Sequence, residues 1–195
     1  MKKSIIIILA VVAILVIWAV SVYNGLVTMD ENVTGQWANV ETQYQRRADL
    51  IPNLVNTVKG YASHEKETLE GVVEARSKAT QIKVDADGLT PEKLAEYQKA
   101  QGAVTSALGK LLAISESYPD LKANQNFLEL SDQLKAIEDD IANSRKYYNA
   151  VVKQFNTKCE VFPSNLIASM FHFEKKPMFE VNAAEERENV KVSFS

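Results

Sequence analysis

The chain of 195 residues has a single cysteine, Cys159, only two histidines, and no surplus of positive charge. One thiol can neither close an intramolecular disulfide nor supply a thiolate metal cluster, and Cys159 reads as a small buried apolar side chain. Two isolated histidines, His64 and His172, are too few for structural zinc or haem. A di-iron helical bundle is excluded as well, because it needs a glutamate three residues before each ligating histidine, and Tyr61 and Ser169 stand at those positions. No cofactor or metal is expected. With 22 Lys and Arg against 25 Asp and Glu, the net charge is −3, so nothing favours counterion release from a phosphate backbone and nucleic acid is not an expected partner. Catalytic groupings are equally scarce. His64, between Ser63 and Glu65, reads as a solvated residue at a helix start rather than as a base beside its nucleophile. The acidic run Glu138, Asp139 and Asp140 points in different directions on a helix, which makes a poor cation site.

What the sequence does have is one long apolar run. Residues 4–23 are twenty residues without a charge, enough for about 30 Å of helix and therefore for the hydrocarbon core of a bilayer. Lys2 and Lys3 precede the run, and Asp30 and Glu31 are the first charges after it. This bias puts the N-terminus in the cytoplasm and the body outside, with Trp18 and Tyr23 at the outer interface. The rival reading is a signal peptide cleaved after Ala19 and Ser21, but the run exceeds the usual h-region length of about 7–15 residues, so a retained signal-anchor is expected. Only three residues would then lie on the cytoplasmic side, too few for an output domain of a transmembrane sensor.

Downstream the pattern changes to helical stripes. Val33, Trp37, Val40, Tyr44, Ile51, Leu54 and Val58 recur at spacings of three and four, with Arg47 filling the missing position. The stripe passes through Pro52, which predicts a kink rather than a stop. Residues 60–64 offer the first break, with Ser63 available as the next N-cap. A shorter helix over 65–82 follows, with Leu69, Val72, Val73 and Ala79 on one face. After a loop, Thr90-Pro91-Glu92 starts a helix carrying Leu94, Tyr97, Val104, Leu108, Leu111 and Leu112. The turn Tyr118-Pro119-Asp120 ends it. The last long helix has a heptad: Phe127, Leu134, Ile141, Tyr148 and Phe155 are seven apart, with Leu130, Ile137 and Val151 between.

Amphipathic helices joined by short turns bury their stripes against antiparallel neighbours. The expected fold is thus all-α: one N-terminal transmembrane helix followed by an elongated antiparallel four-helix bundle and an apolar C-terminal tail. The expected divisions are 1–28 for the stub, anchor and exit, 29–158 for the bundle, and 159–195 for the tail. Phe162, Phe171, Phe173 and Phe179 make the tail too aromatic to be left in water, so docking is expected. Val190, Val192 and Phe194 alternate like an extended strand. Eight polar residues lie on or beside the apolar stripes: Arg46, Arg47, Asp49, Asn53, Arg76, Glu116, Glu138 and Arg145. Buried charge is costly unless paired, so some of these arginines are expected to pair with some of these carboxylates between helices and fix the register.

The chain resembles the LemA family of bacterial membrane-anchored proteins. The motifs that carry the resemblance are Tyr23-Asn24-x-Leu26-Val27, Trp37, and Arg46-Arg47-Ala48-Asp49-Leu50-Ile51-Pro52-Asn53-Leu54-Val55, then Glu116-Ser117-Tyr118-Pro119-x-Leu121-Lys122-Ala123, Arg145-x-Tyr147-Tyr148-Asn149, Phe155-Asn156 and Phe162-Pro163-x-Asn165. They span residues 23–173. The resemblance implies a single-pass protein of the bacterial inner membrane with a helical bundle outside the cytoplasm, without an established activity. It also implies the company of other envelope membrane proteins, of the TPM-domain kind and of the membrane metalloproteases.

The function expected from these features is that of a non-enzymatic scaffold in the lipid bilayer, forming a homo-oligomer through apolar tails that dock on neighbouring subunits. The alternative is an extracytoplasmic binding module for a peptide, a small ligand or a membrane-protein partner.

Overall fold

The computed structural model describes residues 2–180. Helix α1 (Lys2–Tyr61) is a single uninterrupted run of 60 residues, about 90 Å long. It carries both the apolar segment and the first stripe of the bundle. Among the described residues it is the one helix long and apolar enough to cross a membrane, and large apolar side chains from Ile5 to Val20 are exposed along it. From Val22 onward its stripe is buried: Leu26, Val33, Trp37, Val40, Tyr44, Ile51, Leu54 and Val58 all lie in the core.

A four-residue turn leads into α2 (Lys66–Gln81). The expected cap at Ser63 does not form. The helix begins two residues later behind Glu65 without a side-chain cap, and the Glu65 carboxylate instead accepts a hydrogen bond from the Tyr118 hydroxyl at 3.0 Å. Val73 is exposed, unlike Leu69, Val72 and Ala79, because it lies about 100° round the helix from Val72 and so off the narrow face that α2 buries.

Helix α3 (Pro91–Ile114) begins as expected, with the Thr90 side chain accepting a bond from the Lys93 amide at 3.3 Å. A short 3-10 turn and α4 (Pro119–Lys122) reverse the chain. Helix α5 (Gln125–Glu160) follows, capped by Asn124, whose Oδ1 accepts from the Phe127 amide at 3.0 Å. All five members of the heptad row are buried. The chain then forms α6 (Ser164–Met170) and an extended segment to residue 180. The expected extended stretch at Val190, Val192 and Phe194 lies outside the described residues.

Register follows from three contacts between α1 and α5: Tyr61 meets Asn124, Arg47 meets Glu138, and Trp37 meets Tyr148. Stepping 14 and then 10 residues back along α1 moves 14 and then 10 residues forward along α5, so the two helices are antiparallel and in step. Helix α2 descends along α1 and α3 ascends beside it, giving an up-down-up-down bundle.

Candidate functional site

The centre of the bundle is organised round Arg47, whose side chain is 2% exposed. It occupies a core position in the stripe between Tyr44 and Ile51, and its charge is met from two other helices. Nη1 donates to Glu138 Oε1 of α5 at 2.8 Å and to Thr105 Oγ1 of α3 at 2.8 Å. Nη2 donates to the Gln101 carbonyl at 3.1 Å and to Gln101 Oε1 at 2.7 Å. The guanidinium also stands 5.1 Å from the centre of the Tyr44 ring. Four bonds, one of them to a carboxylate, give a buried charge the partners it needs, and the single arginine ties α1, α3 and α5 at one level. Glu138 alone of the acidic run turns inward. Asp140 reaches the exposed Arg46 at 3.3 Å, a pair of little energetic weight.

Arg76 reveals a second arrangement. Its Nε donates to the Ala48 carbonyl at 2.6 Å. Ala48 is four residues before Pro52, which has no N–H to donate, so the proline leaves that carbonyl without its helical partner. Arg76 supplies the missing donor from α2. Pro52 therefore creates a cross-helix bond instead of a break, and α1 continues through it to Tyr61.

Just below the arginine layer, Trp37 is almost wholly buried and is touched from every segment that meets there. Its Nε1 donates to the Val84 carbonyl at 2.9 Å. Its ring lies 5.5 Å from Tyr97 of α3, 5.6 Å from Tyr148 of α5, and 5.9 Å from Phe179, which stacks on it at 19°. Burial pushes the Tyr44, Tyr97 and Tyr148 hydroxyls above the usual phenol range.

Phe179 is held in place by α5. The Asn149 side chain donates to the Phe179 carbonyl at 3.0 Å and accepts from its amide at 2.8 Å. Asn156 does the same with Lys176, at 2.8 and 2.9 Å. Seven residues of helix rise about 10 Å, and three residues of extended chain cover about the same distance. The two asparagines therefore act as a ladder on which the tail lies as a single strand. The Tyr148 hydroxyl donates to the Pro177 carbonyl at 3.0 Å, Lys176 Nζ lies 3.1 Å from Asp30 Oδ1 of α1, and Arg145 covers the Phe179 ring at 4.8 Å.

Of the polar residues singled out from the sequence, Arg46, Arg47, Arg76 and Glu138 bond between helices, and Arg145 bonds to the tail through the Glu180 carbonyl at 3.4 Å. Among the described residues, the other three join no network between helices. Asp49 accepts from Gln45 one turn earlier on its own helix, Glu116 pairs locally with Lys122, and Asn53 is exposed. All three sit off the buried stripe, where water solvates them at no cost. In the tail, Phe179 is buried and Phe173 half-buried, and the Phe171 ring lies 4.6 Å from Tyr23. Among the described residues Phe162 docks on no other part of the chain: it is 79% exposed, because the turn after α5 leaves it on the outer side. Through residue 180 the tail packs on its own bundle. Trp18 and Tyr23, expected at the membrane interface, are each half-buried against the body.

Sequence periodicity does not mark Gln101, Thr105, Asn149 or Asn156 as site residues, although Asn149 and Asn156 stand in the motifs that carry the family resemblance. Gln101 left only a trace in the sequence, since it stands in the seven-residue gap of the α3 stripe between Tyr97 and Val104, as Arg47 does in α1. Open clefts of about 540 and 530 Å³ flank the arginine layer, the first bordered by Arg46, Arg76 and Lys83, the second by Lys99, Glu138 and Arg145. Among the described residues, no three His, Cys, Asp or Glu side chains converge as a metal site.

The fold and this layer define a class: an all-α bundle continuous with a single apolar N-terminal helix that is a candidate membrane anchor. The chain belongs to the LemA family, whose pattern matches residues 36–194. It is similar to Protein LemA of Metamycoplasma hominis, 28% identical over 162 residues, covering 83% of this chain and 70% of that one. It is likewise similar to Magnetosome protein MamQ 2 of Paramagnetospirillum magneticum, 26% identical over 181 residues, with 83% and 66% covered. Magnetosome protein MamQ of Magnetospirillum gryphiswaldense is 28% identical over 174 residues, with 80% and 64% covered. The matched part of the chain thus spans about two thirds of each relative's length. The family supports a membrane-associated protein, and neither its description nor these names denotes a catalytic activity.

Proposed function

We propose that the protein is a non-enzymatic scaffold of the bacterial inner membrane, N-terminus in the cytoplasm and bundle outside, that self-associates in the plane of the bilayer. The observation that carries this reading is the continuity of α1, which runs from the apolar segment to the far end of the bundle without a linker. A body joined to its anchor through a stiff rod is held at a set height and orientation, which suits a strut better than a tethered catalyst. Lys2 and Lys3 before the anchor, and Asp30 and Glu31 after it, support the orientation. The magnetosome relatives are named for a cell structure rather than for a reaction, which fits a structural role. Because the tail from Phe173 to Glu180 packs on its own bundle, the surface assigned to self-association is the outside of the bundle, including the groove between α1 and α2 lined by Val55, Leu69 and Val73. Native mass spectrometry of the full-length protein released from nanodiscs tests the reading. A discrete oligomer is expected, and a strictly monomeric particle counts against it.

The clefts beside Arg47 favour a second reading, an extracytoplasmic binding module for an anionic peptide, a small ligand or another envelope membrane protein. Proximity labelling that recovers one stoichiometric partner, with the protein itself monomeric, would support that reading over self-assembly.

A further inference from the structure

Residues 161–173, comprising the turn after α5, α6 and the turn that follows, contain no Asp, Glu, Lys or Arg, and are bounded by Glu160 on one side and Glu174, Lys175 and Lys176 on the other. One side of this segment, with Ser164, Ile167 and Ala168, is buried against the bundle. The other side is apolar and open: Phe162, Leu166 and Met170, each four residues apart, are 79%, 56% and 68% exposed, and Phe171 is 50% exposed. Leu166 and Met170 stand one turn apart on the same face of α6, and Phe162 lies in the turn that leads into it. A contiguous apolar patch of this kind marks a contact surface rather than a solvated one.

Its position identifies the contact. Helix α6 packs on α1, and the rings of Phe171 and Phe173 lie 4.6 and 5.9 Å from that of Tyr23. Trp18 and Ala19 are also partly buried against the body, whereas the α1 side chains before them are exposed. Trp18 to Tyr23 are the last six residues of the apolar stretch 4–23, so the body overlaps that end of the membrane-spanning stretch by about 9 Å of helix. Interfacial segments bury their apolar face to a depth of about 5–10 Å, at the boundary of headgroups and acyl chains. We infer that residues 162–171 form an apolar foot that dips into the outer leaflet beside α1, giving the protein a second contact with lipid. The lipid-facing surface of α1 runs directly into the foot at the same level. The charges that bound it, including the ion pair between Lys175 and Glu160 at 2.5 Å, then lie where headgroups begin. With a spanning helix and a foot side by side, the bundle has a fixed lean on the membrane. The inference rests on the reading of α1 as the anchor.

The test uses the full-length protein in nanodiscs of phosphatidylethanolamine and phosphatidylglycerol, in a Cys159→Ser background. A fluorescent thiol probe is placed by Phe162→Cys or Leu166→Cys, with Ile14→Cys as the anchor reference and Lys153→Cys as the aqueous reference. All four positions are exposed, so the fold tolerates them. The probes at 162 and 166 are expected to lose most of their emission to nitroxide-bearing lipids, as at 14, and to be shielded from aqueous iodide, unlike the probe at 153. Quenching by iodide at 162 and 166 with lipid quenching retained at 14 overturns the foot and leaves the anchor standing. Shielding from both quenchers at 162 and 166 also overturns it, because the cover is then a second copy of the chain. Iodide quenching at 14 removes the anchor and the foot together.

Discussion

Two stretches of the same helix obey different rules. In residues 4–23 of α1 apolar side chains face every direction and most are exposed, as suits a solvent of hydrocarbon. From Trp37 to Val58 the apolar residues keep to one stripe, and within it one charged side chain, Arg47, is wholly surrounded by partners. The first stretch is specified by composition alone. The second is specified by position, since moving Arg47 one residue along the helix would turn its charge away from Glu138, Thr105 and Gln101. Nothing in the backbone separates the two, and the change of rule occurs within a continuous helix.

Substitutions at the bundle end should therefore act on register and stability without touching the anchor. The largest effect is expected for Trp37→Ala, which removes the ring that Tyr97, Tyr148 and Phe179 pack against and should cost about 3–5 kcal/mol. Thermal melting followed by circular dichroism would show a lower Tm for the bundle, with helix remaining for the anchor. Next is Glu138→Ala, which leaves the Arg47 charge without its carboxylate. Because Glu138 is itself 33% exposed, a cost of about 2 kcal/mol is expected, below that of a fully buried pair. Arg47→Met removes the charge together with its need for partners and should cost less. The reverse ranking of the two melting temperatures would contradict the assignment of the arginine as the buried, dependent partner.

Arg76→Met should lower stability by about 1–2 kcal/mol, since it leaves the Ala48 carbonyl unbonded. The loss should largely vanish in a Pro52→Ala background, where the helix supplies its own donor, and additive effects in that double-mutant cycle would refute the link. For the tail, Asn149→Ala should release the amide of Phe179 from its partner. Faster hydrogen exchange at Phe179 but not at Phe127 is expected, with a global cost near 1 kcal/mol. The smallest effect concerns the helix itself. Gly35 has nothing within 4 Å of where a Cβ would lie, so Gly35→Ala should raise the Tm slightly, by up to about 1 kcal/mol of stability.

The stripes of α1, α3 and α5 were legible in the sequence because burial follows helical periodicity, and the cap at Thr90 is local chemistry, whereas the cap expected at Ser63 gave way to Glu65. The importance of Arg47 was legible for the same reason, as a charge in an otherwise apolar row. Its partners were not, apart from Glu138. Gln101 and Thr105 are acceptors only because α3 presents them at the right height, which no local pattern records. Pro52 could be read as a disturbance of α1, but the donor that answers it comes from Arg76, 24 residues away. The asparagine ladder was hidden likewise: Asn149 and Asn156 look like surface amides until a strand with matching repeat lies on them. Phe162 misled in the opposite direction, since aromatic content argues for burial without saying against what.

The claim on which the rest depends is that α1 passes from lipid to bundle as one rod. Hydrogen exchange of the full-length protein in nanodiscs measures it directly across residues 24–32, where an anchored domain on a linker would have its hinge. Slow exchange throughout that stretch, continuous with the protection at Val33 to Val40, is the expected result. Rapid exchange there, with protection on both sides, would contradict it and turn the strut into a tethered domain.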